Sequence, residues 1–88
     1  MLDEDRERLL TVLHPYQIKK LNRDKNKGGW TEDGFFAILA RIRGELDELE
    51  DAFVEGKDPQ ELLYECADAQ NFTAMLADNI KGGRYHGS

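Results

Sequence analysis

Apolar residues recur every three or four positions between residues 35 and 53, and this spacing restricts the segment to an amphipathic helix. The series consists of Phe35, Leu39, Ile42, Leu46, Leu49 and Phe53. Its 3.5-residue period is that of a helical bundle or coiled coil, so the face could pack within the chain or against a partner chain. Nothing in the sequence alternates with a period of two, so no sheet is expected. The sequence predicts an all-α helical bundle.

Proline and a possible N-cap residue divide the first half of the chain. Helix-forming residues begin at Asp3, and Pro15 should leave this first helix kinked or broken, because proline lacks a backbone donor and disfavours helical geometry at the preceding residue. The helix should resume and end near Arg23. Thr31 is a suitable N-cap for the long amphipathic helix, which we expect to run to about Glu55.

The clearest boundary signal follows the long helix. Gly56 is placed to end that helix, and the residues Asp-Pro-Gln-Glu at 58–61 combine an N-cap, a proline at the first helical position and an acid three residues after the cap. A last helix should run from there to about Lys81. We therefore predict three main helices in a single domain over residues 1–88. A chain this short buries a comparatively small share of its surface, so oligomerisation should complete the bundle.

Two pairs of carboxylates stand at helical spacing, Glu45 with Glu48 and Glu65 with Asp68. Residues three apart lie on one face of a helix, so each pair can close on a single cation, and two antiparallel helices would bring all four together. Mg²⁺ favours such oxygen ligands and shares them with waters and substrate phosphates. Glu65 falls inside the apolar stripe of the last helix, where an unpaired charge is costly. The alternative is that Glu65 is protonated or meets a Lys or Arg side chain.

The charge distribution narrows the classes of partner. A net charge of −6 argues against a general nucleic-acid binder. Residues 19–27 nevertheless contain five basic residues and one acidic residue, which suits a metal-bound polyanion. The single cysteine, Cys66, excludes an intrachain disulfide. No signal peptide and no apolar run of membrane-spanning length are visible, so we expect a cytoplasmic protein without membrane partners.

Four segments together resemble the MazG-like all-α nucleoside triphosphate pyrophosphohydrolases, especially the short versions common in bacteriophages. They are Lys-Gly-Gly-Trp at 27–30, Gly-Glu-Leu-Asp-Glu-Leu at 44–49, Glu-Cys-Ala-Asp-Ala-Gln-Asn-Phe at 65–72 and Met-Leu-Ala-Asp-Asn at 75–79. The resemblance covers about residues 27 to 80. A phage-encoded member would act in the host cytoplasm. One departure is Gly44, where the family often has a glutamate before the first carboxylate pair.

The resemblance implies a Mg²⁺-dependent enzyme, with Mn²⁺ as a substitute, that hydrolyses a nucleoside triphosphate to the monophosphate and pyrophosphate. It implies Glu45, Glu48, Glu65 and Asp68 as metal ligands and a homodimer or homotetramer as the assembly. The related phosphoribosyl-ATP pyrophosphohydrolases share the pattern Leu-x-Tyr-Glu-x-Ala-Asp, which matches residues 62–68.

The remaining site candidates follow from the chemistry of such a cluster. Glu48 lies further from the apolar stripe than Glu45 and is the candidate general base, although base and ligand cannot be separated at this level. The candidate phosphate contacts are Lys25, Lys27 and Lys81, and the candidate nucleoside contacts are Trp30, Asn71 and Asp78. The competing interpretation is core packing for Trp30 and solvent-facing polar residues for the others.

Two other functions fit the same sequence. The first is a related pyrophosphohydrolase that acts on phosphoribosyl-ATP or dUTP, and a panel of substrates distinguishes it. The second is a non-enzymatic helical interaction module, whose acidic faces would serve only solubility and would bind no Mg²⁺ or Mn²⁺.

Overall fold

The protein folds into α-helices joined by short turns. A computed structural model describes residues 1–23 and 29–86. The elements in these ranges are α1 (Asp3–Thr11), α2 (His14–Arg23), a 3₁₀ turn (Trp30–Glu32), α3 (Phe35–Val54) and α4 (Pro59–Lys81). No strand occurs in the described part of the chain. The prediction of an all-α fold is confirmed.

The predicted interruption of the first helix is also confirmed, and it falls just before Pro15. Helix α1 ends at Thr11 and α2 begins at His14, so Pro15 is the second residue of α2, where its missing donor costs no helical hydrogen bond. No residue of α1 is buried. The N-terminal segment is therefore two short helices, of which only α2 packs firmly on the rest of the bundle.

The predicted N-cap of the long helix is wrong. Thr31 lies inside the 3₁₀ turn, and Gly34, with extended backbone angles of −74° and 166°, precedes the first residue of α3. The turn forms because Asp33 N donates to Trp30 O at 3.1 Å and Asn79 Nδ2 donates to the same oxygen at 2.8 Å. The start of α3 is therefore determined by a contact with α4 and not by the local capping signal at Thr31.

The turn between α3 and α4 agrees with the prediction. Gly56 follows α3 with a φ of +77°, in the left-handed region that glycine adopts without strain. Asp58 Oδ1 accepts a hydrogen bond from Glu61 N at 2.9 Å, and Pro59 stands at the start of α4. Helix α4 ends at Lys81 as expected. This short connection makes α3 and α4 a helical hairpin.

Helix α4 is the central element, since it packs against α3, α2 and the 3₁₀ turn. The buried apolar residues are Ile38, Ala67 and Leu76. Within one chain the predicted stripe of α3 is only partly covered: Leu46 is half-exposed and Phe53 is 72% exposed. The stripe prediction also missed Ile38, the most deeply buried residue of α3. Much apolar surface is thus left uncovered on the single chain.

In the ranges 1–23 and 29–86, no helix combines the length and the apolar character that crossing a membrane requires.

Candidate metal centre

Helices α3 and α4 bring three carboxylates together. One oxygen from each of Glu45, Glu65 and Asp68 lies within 4.8 Å of the other two. The convergence follows from the hairpin, because Glu45 lies nine residues before the end of α3 and Asp68 nine residues after the start of α4. With a rise of about 1.5 Å per residue, both stand at a similar height above the turn. The spacing of the three oxygens suits a single small cation.

The fourth predicted carboxylate lies at the edge of this group. Burial is the largest cause of the raised pKa of Glu45 and Glu65, and the charge of the exposed Glu48 adds to it at both groups. We define Glu45, Glu48, Glu65 and Asp68 as the acidic cluster.

Two oxygens of the acidic cluster lack any hydrogen-bond donor. Oε2 of Glu45 and Oε2 of Glu65 are buried, and no described residue donates to either. Buried polar atoms are nearly always paired with protein or water. A carboxylate oxygen in such a position is stabilised by a proton or by a metal ion. The donor set therefore fits a hard divalent cation.

The electrostatics of the acidic cluster agree with this chemistry. Burial, followed by the charges of Asp68 and Glu48, raises the pKa of Glu45 from 4.5 to about 7. Burial and the charges of Glu48 and Asp68 also raise the pKa of Glu65, although the Lys20 ammonium works in the opposite direction. With a pKa of about 7, Glu45 is partly protonated at neutral pH when no cation is bound. A divalent ion would compete with that proton for the Glu45 oxygens.

Lys20 of α2 contacts the acidic cluster, although the sequence indicated it only as a member of the basic segment 19–27. Its Nζ lies 3.0 Å from Asp68 Oδ2, and the two side chains are only 18% and 17% exposed. The ammonium also lies 5.8 Å from the centre of the Tyr64 ring, which Tyr16 contacts edge-on. One alternative from the sequence was an ion pair between Glu65 and a basic residue, but Lys20 pairs with Asp68 instead. The available signal was the four-residue spacing of Tyr16 and Lys20, which places both on the face of α2 that meets α4.

The acidic cluster opens into a cleft of about 1210 Å³. Two arginines, Arg23 and Arg41, line the cleft together with Trp30, Phe72 and Met75. The guanidinium of Arg41 lies 5.4 Å from the centre of the Phe72 ring. Carboxylates, guanidinium groups and an apolar wall therefore share one open space. Arg23 belongs to the basic segment 19–27 that the sequence suggested for a polyanion, whereas Arg41 was not indicated.

Two of the predicted nucleoside contacts bind each other. Trp30 Nε1 donates to Asp78 Oδ2 at 3.0 Å, and Arg84 Nη2 donates to the same oxygen at 2.8 Å. Trp30 is half-buried and lines the cleft. Asp78 is exposed and lines a smaller neighbouring pocket. A ligand in the cleft would meet the indole before it met the Asp78 carboxylate.

The other predicted substrate contacts have different positions. Asn71 lines the cleft but is buried, and its Oδ1 accepts from Gln17 Nε2 at 3.2 Å while its Nδ2 donates to Gln17 O at 3.4 Å. It thereby ties α4 to α2. Lys81 is exposed at the end of α4 and is not among the residues that line the cleft. Lys25 and Lys27 lie outside the described residues.

Comparisons of this chain with protein-family models, with curated proteins and with solved structures found no significant match.

Proposed function

We propose that this protein is a metal-dependent pyrophosphohydrolase that converts a nucleoside or deoxynucleoside triphosphate to its monophosphate and pyrophosphate. The carrying observation is the convergence of three carboxylates from two helices, with two buried oxygens that no described residue satisfies. The resemblance of the sequence to MazG-like enzymes supports the same reaction. Glu45, Glu48, Glu65 and Asp68 would hold Mg²⁺, or Mn²⁺ in its place.

A bound divalent ion would offset the charge of the phosphates and lower the pKa of a bound water. The chain supplies the other functions. Glu48, exposed at the edge of the acidic cluster, accepts a proton from the water that attacks the α-phosphorus. As the new oxygen–phosphorus bond forms, the bond from the α-phosphorus to the bridging oxygen breaks, and that oxygen leaves with pyrophosphate. Glu48 then releases its proton to solvent.

The cleft offers groups for the two ends of such a substrate. Arg23 and Arg41 line the cleft and would pair with phosphate oxygens, since guanidinium groups bind phosphates in a bidentate manner. Trp30, Phe72 and Met75 form an apolar wall on which a base can lie. Lys25, Lys27 and Lys81 remain proposed phosphate contacts, and Trp30, Asn71 and Asp78 remain proposed nucleoside contacts.

The proposed assembly is a symmetric homodimer or homotetramer. Large apolar side chains are exposed on the single chain in two helices. They are Leu9 and Leu10 of α1 and Leu46, Phe53 and Val54 of α3. A small chain that leaves this much apolar surface uncovered gains stability from a second copy.

The test is purified protein with Mg²⁺ and each of the eight common ribo- and deoxynucleoside triphosphates, assayed for pyrophosphate. Glu45→Gln, Glu48→Gln, Glu65→Gln and Asp68→Asn should each lower turnover by at least about 100-fold, because even outer-shell changes at metal sites cost 10–100-fold. Glu50→Gln, an exposed neighbour on α3, is the matched control. Full activity in EDTA, or in any two cluster variants, would overturn the proposal.

The same assay separates the alternative substrates. dUTP and phosphoribosyl-ATP belong in the panel, and a preference for either one would identify a related pyrophosphohydrolase. A protein that releases no pyrophosphate and binds neither Mg²⁺ nor Mn²⁺ in calorimetry would be an interaction module.

A further inference from the structure

The ammonium of Lys20 lies beside the acidic cluster and forms an ion pair with Asp68. It comes from α2, whereas the carboxylates come from α3 and α4. The pair with Asp68 is more than four-fifths buried on both sides, and a buried ammonium is tolerated only with a close partner. Lys20 is therefore ion-paired with one of the three carboxylates whose oxygens lie within 4.8 Å of one another.

We propose that Lys20 is an exchangeable counter-ion of the metal site: it holds Asp68 in the metal-free protein, yields that carboxylate to the divalent cation, and then pairs with the anionic phosphate of the ligand. This inference rests on the proposed function, since it presumes a metal ion in the acidic cluster. It assigns a positioning and ligand-binding role to a residue outside the four carboxylates.

The geometry supports both halves of the exchange. A metal ion among the three oxygens would stand within a few ångströms of the Lys20 ammonium, and two cations at such a distance repel each other strongly where water is partly excluded. The lysine side chain has a flexible four-carbon stem, so the ammonium can move while α2 stays in place. Lys20 also lines the cleft that the acidic cluster opens into. A polyphosphate bound there lies within its reach.

The exchange predicts two effects of opposite sign for one substitution. Lys20→Met removes the competitor, so Mn²⁺ should bind the nucleotide-free protein at least about tenfold more tightly, because a like charge a few ångströms away weakens the binding of a divalent ion even under the screening of bulk water. With Mn²⁺ present, a non-hydrolysable triphosphate should bind about tenfold more weakly, because one phosphate contact is lost. A purely structural lysine would weaken both ligands when removed.

Calorimetry with Mn²⁺ and with the triphosphate analogue provides both affinities. Lys19→Met is the matched control, because it removes the same charge from the exposed face of the same helix. Equal or weaker Mn²⁺ binding by Lys20→Met than by wild type would overturn the exchange, and so would an equal gain in Lys19→Met. If neither wild type nor Lys20→Met bound Mn²⁺, the metal proposal itself would fall with it.

A second measurement uses the unaltered protein. Acetylation of each lysine by a small reagent, read by mass spectrometry, should be slow at Lys20 without metal, faster with saturating Mn²⁺, and slow again when the triphosphate analogue is added. Lys57, exposed in the turn before α4, should react at one rate throughout. A Lys20 rate that does not rise with Mn²⁺ would contradict the exchange, even if Lys20→Met fails to fold.

Discussion

Replacing Glu45 with glutamine should stabilise the metal-free protein at alkaline pH. Glu45 lies close to Glu48, Glu65 and Asp68. Burial, together with the charges of these three groups, raises the pKa of Glu45 from 4.5 to about 7. The folded protein therefore binds a proton at Glu45 more tightly than the unfolded chain does. Ionised Glu45 destabilises the fold fully above about pH 7, and the penalty declines as the pH falls towards 4.5. Glutamine has a similar shape and carries no charge at any of these pH values.

The size of the effect follows from the same two values. A pKa that rises from 4.5 to about 7 corresponds to at most about 3 kcal/mol of unfolding free energy. Partial access of water to the cleft screens the charges, so we expect about 1–2 kcal/mol. In a domain of this size, 1 kcal/mol shifts Tm by about 4–8 °C. The Tm of Glu45→Gln should therefore exceed that of wild type by roughly 5–15 °C at pH 8, and the gap should narrow to about a quarter at pH 5.

Thermal unfolding followed by circular dichroism in EDTA at low salt measures this difference, with Glu50→Gln as the control on the exposed side of α3. A Glu45→Gln protein no more stable than wild type at pH 8, or equally stabilised at both pH values, would refute the reasoning. If the acidic cluster binds Mg²⁺ as proposed, adding Mg²⁺ should reverse the order, because Glu45→Gln lacks one of the proposed ligands and a ligand stabilises the state that binds it. Equal stabilisation of both proteins by Mg²⁺ would remove Glu45 from the metal site.

The remaining predictions concern the assembly, the loop and the fold. Light scattering should give a multiple of 10.1 kDa and Phe53→Glu should lower it, whereas a wild-type monomer at micromolar concentration would contradict the oligomer. Lys27→Ala should weaken all triphosphates alike and Trp30→Ala should change the ranking among bases, since only a stacking contact senses the base; wild-type kinetics in both variants would exclude these contacts. Asn79→Ala should cost about 1–3 kcal/mol in urea unfolding, because it removes a buried amide that donates to the Trp30 carbonyl and accepts from Arg84, and a cost no larger than that of Gln70→Ala would refute this.

Local chemistry explains which boundaries could be predicted. Asp58, Pro59 and Gly56 act through their own backbone and nearest neighbours, so the α3–α4 turn was readable from the sequence. Thr31 failed because the competing interaction comes from Asn79, 48 residues later in the chain, which binds the Trp30 carbonyl at 2.8 Å. A capping propensity is worth about 1 kcal/mol, and a buried long-range contact can outweigh it.

The acidic cluster was predictable for a similar reason. Helical spacing places Glu45 with Glu48 and Glu65 with Asp68, and a hairpin with a short turn can bring the two pairs to one level. The contribution of Lys20 was not predictable, because it depends on how α2 rests on α4. Periodicity identifies the buried face of a helix, but it does not determine at which position along the helix axis a neighbouring helix packs. The same limit applies to Asn71, whose position suggested a ligand contact although its amide also bonds to Gln17.

The buried polar groups of α4 allow one further distinction. Asn71 and Asn79 are both buried, and both amides have partners for donor and acceptor atoms, drawn from Gln17, Trp30 and Arg84. The fold therefore satisfies its buried amides with protein groups. Among the described residues, the buried side-chain atoms left without a partner are one oxygen each of Glu45 and Glu65. A sequence selected only for stability would replace these acids with glutamine or leucine, since an unpaired buried carboxylate costs more than an amide or an apolar side chain. Their presence side by side, in an otherwise satisfied core, is explained if a cation is the missing partner.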